Sequence, residues 1–224
     1  MQRLKNLRDQ RKPMANKLLI VGAGGHGKVV ADTALMSGNW SEIAFLDDKY
    51  PLLNSIHDWP VLGTLNEVEE FSLEYSDCVV AIGSSSLRME LIKKYLKRGY
   101  SLPAIIHPAS SVSSFVSLGA GCVVFAKTVI NSDSKIGDGC ILNTGVIVDH
   151  DCELGEGVHL APGVNLAGGV CIGHRSLMGV GSSVIPQIVI GQNVIAAAGS
   201  VVTQDIGDNC TVAGVPAKVI KNHE

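Results

Sequence analysis

Residues 118–207, taken six at a time, read LGAGCV VFAKTV INSDSK IGDGCI LNTGVI VDHDCE LGEGVH LAPGVN LAGGVC IGHRSL MGVGSS VIPQIV IGQNVI AAAGSV VTQDIG. Every group opens on an aliphatic residue or Met, from Leu118 through Val148 and Met178 to Val202, with no skipped beat. The fifth position is always compact or β-branched, as in Cys122, Cys140, Cys152, Val164 and Ser200, and Gly recurs at the second. A period of six fits neither a helix nor an alternating strand; it is the signature of a parallel β-helix. The opening aliphatic and the small residue two places before it point inward, and the residues that follow turn a corner. Three such groups close one triangular coil, and coils stack at strand spacing, roughly 4.8 Å. A β-sandwich of short strands is the alternative, but a sandwich does not keep an unbroken period of six.

The rest of the composition narrows the class. The chain has 224 residues and a formal net charge of −3, so it advertises no basic face for nucleic acid. Its six Cys carry no pairing motif, and three of them fall at small inward positions, which reads as buried thiols of a reducing compartment. No apolar run reaches membrane-spanning length and no signal peptide precedes the first strand, so a cytoplasmic location is expected. Residues 1–16 form a leader rich in Arg and Lys, and Met14 is a second candidate start.

Residues 17–106 have the pattern of a small α/β domain, and 107–224 that of the β-helix. The strand Leu18–Val21 runs into Gly22-Ala23-Gly24-Gly25-His26-Gly27 and then a helix from Lys28 to Leu35. Further strands are expected at 43–46, 78–83 and 102–106, with Ser86 capping a helix over 87–98. The order implies a small parallel sheet with its ligand at the strand C-terminal ends. The glycines fit G-x-G-x-x-G, and Asp47 lies twenty residues past Gly27, the outline of a dinucleotide fingerprint. About ninety residues make only half of a dinucleotide-binding fold, so one nucleotide diphosphate on the loop and helix N-terminus is the functional reading. A tight strand-to-helix turn without a ligand is the other.

The β-helix core is apolar, so chemistry must use corners or outward residues. His150 sits at a corner between Asp149 and Asp151, which can fix its tautomer and raise its basicity. His159 precedes inward Leu160 and points out from a flat face. The two are nine residues apart, half a coil, and therefore on opposite sides of one prism. They can share a site only where prisms pack side by side. Gly168 stacks one coil above His150. A histidine on such an exterior can also be merely solvated. The spacing matches no compact zinc pattern, so no metal is expected, and no G-x-S-x-G elbow occurs.

In chain order stand the G-A-G-G-H-G-K loop, Phe45-Leu46-Asp47-Asp48, Ile82-Gly83, Ile106-His107-Pro108, the hexapeptides, V-D-H-D-C and Gly214-Val215-Pro216-Ala217-Lys218. Together they resemble the hexapeptide acetyltransferases that N-acetylate nucleotide-linked 4-amino sugars, of the UDP-N-acetylbacillosamine type. Perosamine N-acetyltransferases and sialic acid O-acetyltransferases are near relatives. The resemblance implies a left-handed β-helix, a homotrimer with sites between subunits, acetyl-CoA as donor and a UDP-linked 4-amino-4,6-dideoxy sugar as acceptor, for bacterial glycan biosynthesis. It implies His150 as catalytic base, oriented by Asp151 where the bacillosamine enzymes have Glu. Asn143 and His159 match positions lining the acetyl thioester. Gly168, Val180 and Ala197 match positions along the pantetheine arm, Ala197 standing where that pattern has Gly, and Lys218 lies where the CoA nucleotide is expected. Gly25, His26, Asp47, Asp48, Lys49, Gly83 and Arg88 match the nucleotide-sugar site. A non-catalytic nucleotide-sugar-binding protein is the alternative from another class.

Overall fold

The computed structural model describes residues 16–223; the basic leader and Met14 lie outside them. A β/α unit comes first. Strand β1 (Lys17–Val21) leads through the glycine loop to helix α1 (Gly25–Ser37), then to β2 (Glu42–Leu46). A hairpin of β3 (Ser55–Ile56) and β4 (Trp59–Gly63), a 3-10 turn at Leu65–Phe71, β5 (Asp77–Val80) and helix α2 (Ser85–Lys97) complete it. The sheet order is β3-β4-β2-β1-β5, with β1 parallel to both β2 and β5. The central β1 is flanked by α1 on one face and α2 on the other, so Leu18, Leu19, Ile20 and Val21 are all fully buried.

Two sequence expectations shift here. Helix α2 is capped by Ser84, whose Oγ accepts from Leu87 N, not by Ser86. The strand expected at 102–106 does not join the α/β sheet. Ser101 alone bridges Asp77, and Ile105–Ile106 pairs with Val123–Val124 as the first rung of the β-helix. The backbone here already follows the coil: Ile106 packs on the prism core, and Ile105 points outward into the apolar cluster under the α/β unit.

From Ile105 the chain winds a three-sided prism of two-residue parallel rungs. The first face carries Ile105–Ile106, Val123–Val124, Ile141–Leu142, His159–Leu160, Leu177–Met178 and Ile195–Ala196, and is extended by Cys210–Gly214 and Ala217–Asn222. The second carries Ser111–Val112, Val129–Ile130, Ile147–Val148, Asn165–Leu166, Ser183–Val184 and Val201–Val202. The third carries Ser117–Leu118, Lys135–Ile136, Glu153–Leu154, Cys171–Ile172 and Val189–Ile190. Partners are eighteen residues apart, as in Ile141↔His159, so three hexads make one coil. The inward aliphatics form one continuous core. Three inward hydroxyls donate to corner carbonyls fifteen residues on, Thr128 Oγ1 to Asn143 O, Ser134 Oγ to Asp149 O and Ser176 Oγ to Gly191 O, while those of Ser182 and Ser200 are buried with no partner among the described residues. All six cysteines are unpaired. The corners repeat a left-handed backbone every sixth residue, and Asp151, at φ +57°, takes it without being glycine.

The α/β unit straddles the first face. Leu18, Ile20, Val30, Ala34 and Phe45 share one apolar cluster with Val123, Phe125 and Ile141 of the prism. Arg88 locks the junction. Its Nε donates to Gly139 O (2.8 Å) and its Nη2 to Gly157 O (2.9 Å), both on the prism. Its Nη1 donates to Ile82 O and Gly83 O of the α/β unit. Burial lowers its pKa to about 10, so it remains charged at neutral pH. Arg88→Met keeps the aliphatic stem and strands two buried carbonyls, of Gly139 and Gly157, and two part-buried ones, of Ile82 and Gly83; we expect a loss of about 3–5 kcal/mol in urea unfolding. A loss under about 1 kcal/mol would show that water replaces the guanidinium.

Candidate active site

The site is built from three places on the chain. The first is the glycine loop. Gly22 has φ +105°, and a side chain there would strike Ala81 O. Gly27 lets α1 cross β1 closely, since a Cβ would lie 2.0 Å from Gly22 O. By contrast, a Cβ on Gly24 or Gly25 would meet nothing within 4 Å. Helix α1 starts at Gly25 with no side-chain cap and no acidic residue in its first turn, so its leading N–H groups are left for an anion. Asp47 braces this loop from the end of β2: its Oδ2 accepts from Ala23 N (2.8 Å) and its Oδ1 from Lys49 N (3.0 Å). Asp48 Oδ1 accepts from Leu65 N at the 3-10 turn, and Lys49 is exposed.

The second place is the first face and the corner that follows it. His26 packs edge-on against Phe125, with ring centroids 5.6 Å apart. Burial lowers the pKa of His26 to about 4, helped by His159 and Arg88. Burial, and then Arg88, lowers that of His159 to about 4. Both imidazoles are therefore neutral at pH 7, and the Nε2 of each is buried without a partner among the described residues. Asn143 lies one coil beyond Phe125 on this corner, its Oδ1 accepting from Thr144 N (2.9 Å). Ala197, and Val180 beside that column, follow on later coils of the same corner; Val180 is 56% exposed.

The third place is the corner between the second and third faces. His150 Nδ1 lies 2.7 Å from Asp151 Oδ2. The carboxylate can only accept, so Nδ1 carries the proton and Nε2 is left free as a base. The hydrogen bond to Asp151, and next the charge of Asp149, raise the His150 pKa above the ordinary histidine value. A Cβ on Gly168 would lie 2.6 Å from both Cε1 and Nε2 of His150, so only glycine lets the ring rest there. An open depression of about 320 Å³ adjoins it, lined by Asp149, Asp151, Gly169, Pro186 and Gln187 among others.

The sequence-predicted residues thus divide. His26 and His159 lie together where the glycine loop meets the first face, and Asn143, Val180 and Ala197 follow along the next corner, while His150, Asp151 and Gly168 stand one prism face away. His159 is not the solvent-facing side chain its outward register suggests, because the α/β unit covers the first face around it. Arg88, matched to the nucleotide-sugar site, is 1% exposed and its donors are taken up by backbone carbonyls. Lys218 is exposed on the terminal strand of the prism. Asn131, absent from the sequence reading, donates through Nδ2 to Asp149 Oδ1 (2.8 Å); its spacing of eighteen from Asp149 was the available signal. Among the described residues no cluster of three His, Cys, Asp or Glu could hold a metal, and no helix is long and apolar enough to cross a membrane.

Residues 17–95 match the PglD N-terminal domain, and residues 133–168 the bacterial transferase hexapeptide (six repeats). The chain is 36% identical over 109 residues to the UDP-N-acetylbacillosamine N-acetyltransferase of Bacillus subtilis (strain 168), a match that spans 48% of this chain and half the length of that relative. The acetyltransferase domain of PglB from Neisseria gonorrhoeae FA1090, solved with acetyl coenzyme A, is 42% identical, with a TM-score of 0.89 over 92% of this chain and 99% of that one. PerB from Caulobacter crescentus, solved with CoA and GDP-perosamine, is 41% identical, with a TM-score of 0.87 over 92% of this chain and 98% of that one. On this sequence and fold, a small α/β unit followed by a left-handed β-helix, the chain belongs to the hexapeptide-repeat acetyltransferase family, close to the UDP-amino-sugar and GDP-perosamine N-acetyltransferases.

Proposed function

We propose that this chain is an acetyl-CoA-dependent N-acetyltransferase acting on a nucleotide-linked amino sugar, specifically the 4-amino group of a UDP-linked 4-amino-4,6-dideoxy sugar. The observation that carries the reaction type is His150, with Nδ1 on Asp151 and Nε2 over Gly168 beside an open depression. His150 takes a proton from the amine as nitrogen bonds to the thioester carbonyl carbon; the C–S bond then breaks, and His150 returns the proton to the departing thiolate. No acyl-enzyme is needed. His159, neutral and with Nε2 free, and Asn143 align the acetyl thioester, and Gly168, Val180 and Ala197 leave a lane for the pantetheine arm. The bare N-terminus of α1, with His26, receives the nucleotide diphosphate.

In this reading the catalytic assembly is a homotrimer. The outward residues of the second face are Ser111, Val129, Ile147, Asn165, Ser183 and Val201, a row without charge, whereas the third face presents Lys135 and Glu153. Exposed Ile147, Val180 and Ile185 lie on or beside the second face. Packing it against other copies brings the His150 corner of one subunit to the Asn143 corner of the next. Two different corners meet, so the contact is heterologous and closes into a ring.

Release of free thiol from acetyl-CoA with a panel of acceptors tests the activity. Turnover with a UDP-linked 4-amino sugar supports it. Turnover with GDP-perosamine alone changes the nucleotide, turnover with free sialic acid alone moves the chain to O-acetylation, and affinity for the nucleotide sugar without affinity for acetyl-CoA makes it a binding protein. Gly25→Val probes the acceptor end. The new side chain has room in the fold but blocks backbone approach to phosphate, so the acceptor KM should rise about tenfold or more while that of acetyl-CoA holds. Equal losses for both substrates would remove the phosphate from this loop.

A further inference from the structure

The corner that holds His150 is fixed by a second carboxylate that the mechanism above does not use. Asp149 Oδ1 accepts from the backbone N–H of His150 itself at 2.9 Å. The same oxygen accepts from Asn131 Nδ2 at 2.8 Å, one coil below. Asp151 N donates to Ser132 O, and Gly169 N to His150 O, so the peptide bearing the imidazole is tied from below and above. Asn131, through its amide, and then the His150 N–H hold the Asp149 carboxyl below the usual carboxylate range, as expected of a charged acceptor with two donors on one oxygen. We infer that Asn131 and Asp149 form a positioning pair for the base: Asn131 fixes the Asp149 carboxylate, which anchors the His150 backbone and sets its negative charge beside the imidazole.

The charges around His150 are few, so the effect can be isolated. On its own corner stand Asp149 and Asp151. The coil below offers Asp133, at the position equivalent to Asp151, with Asn131 and Ser132. The coil above offers Ala167, Gly168 and Gly169, and the next Pro186 and Gln187, all uncharged. Of the carboxylates not bonded to the ring, Asp149 is the one whose charge acts on His150, and it favours the imidazolium form. A base stabilised as imidazolium accepts a proton more readily, and a peptide tied at N–H and C=O keeps Nε2 over Gly168.

The role assigned here rests on His150 being the base of the proposed reaction, but its electrostatic half can be read without turnover. Titration of the His150 Cε1–H by NMR in the free protein should give a lower pKa in Asp149→Asn than in the unaltered chain. The amide keeps the Oδ1 acceptor for both donors and removes only the charge. With turnover, the acid limb of kcat/KM should move to lower pH in this variant, with the alkaline plateau within about twofold. Asp149→Ala and Asn131→Ala should each lower the plateau kcat about tenfold with the acetyl-CoA KM unchanged, and the double variant should lose no more than Asp149→Ala alone. An unmoved NMR titration in Asp149→Asn, or losses that multiply in the double variant, would overturn the pairing. Should Asp149→Ala fail to fold, Asp149→Asn and Asn131→Ala still decide it. If the unaltered chain turns over no acceptor while the NMR shift is present, the proposed reaction fails and the electrostatic coupling stands.

Discussion

His150→Ala is expected to lower turnover by about two to four orders of magnitude, the usual worth of a positioned base. His150 is largely exposed, Asp151 binds its Nδ1, and Nε2 points over a position where only glycine fits. Removing the imidazole leaves substrate alignment intact but gives the amine proton no acceptor, so kcat should fall with little change in either KM. The pH profile of the unaltered protein gives the matching check. The base must be neutral to act, and its pKa is raised by Asp151 first and Asp149 next. kcat/KM should therefore climb with pH and level off only above the ordinary histidine range. In His150→Ala that limb should vanish. Thiol release from acetyl-CoA with a saturating acceptor measures both. A loss below about tenfold, or a limb that survives the substitution, would move proton transfer to another group.

Much of this was legible because it is local. A hexad repeat declares its inward positions within six residues, and the burial of Val148, Leu154, Leu160 and Leu166 follows from that count alone. The stacking of Gly168 over His150 follows from the same arithmetic, because one coil is eighteen residues. What the pattern hides is contact between distant stretches. Arg88 matches a nucleotide-sugar position by resemblance, yet its partners Gly139 and Gly157 lie 51 and 69 residues on. His159 has the outward register of a solvated side chain, and only the docking of the α/β unit makes it a half-buried neutral imidazole. Ile105 reads as the last strand of one sheet and is the first rung of another, since a short apolar run carries no mark of which sheet will claim it. The Asn131–Asp149 bond was countable at one coil's spacing, but the hexad rule concerns inward positions and these two side chains lie outside it.

Mixing His150→Ala with His159→Ala should restore activity that neither variant has alone. His159→Ala is impaired for a different reason than His150→Ala. It removes a neutral imidazole whose Nε2 is buried and unpaired, and with it the alignment of the thioester. Within one chain His150 sits at the corner between the second and third faces, while His159 lies on the first face, across the prism from it. A single subunit therefore cannot bring the two imidazoles to one acetyl group. If each cleft takes His150 from one subunit and His159 from its neighbour, equal mixing lets about one cleft in four draw both intact residues, one from each variant. The remaining clefts carry one lesion or both. Turnover after subunit exchange should then approach about a quarter of the unaltered rate, far above either parent. Exchange is followed by native mass spectrometry with one variant isotopically heavy, and turnover by thiol release from the same mixture. Confirmed exchange with activity still at the parental level would sink the shared cleft. The two histidines would then have to serve separate sites, and the uncharged second face would lose its reason to bring unlike corners together.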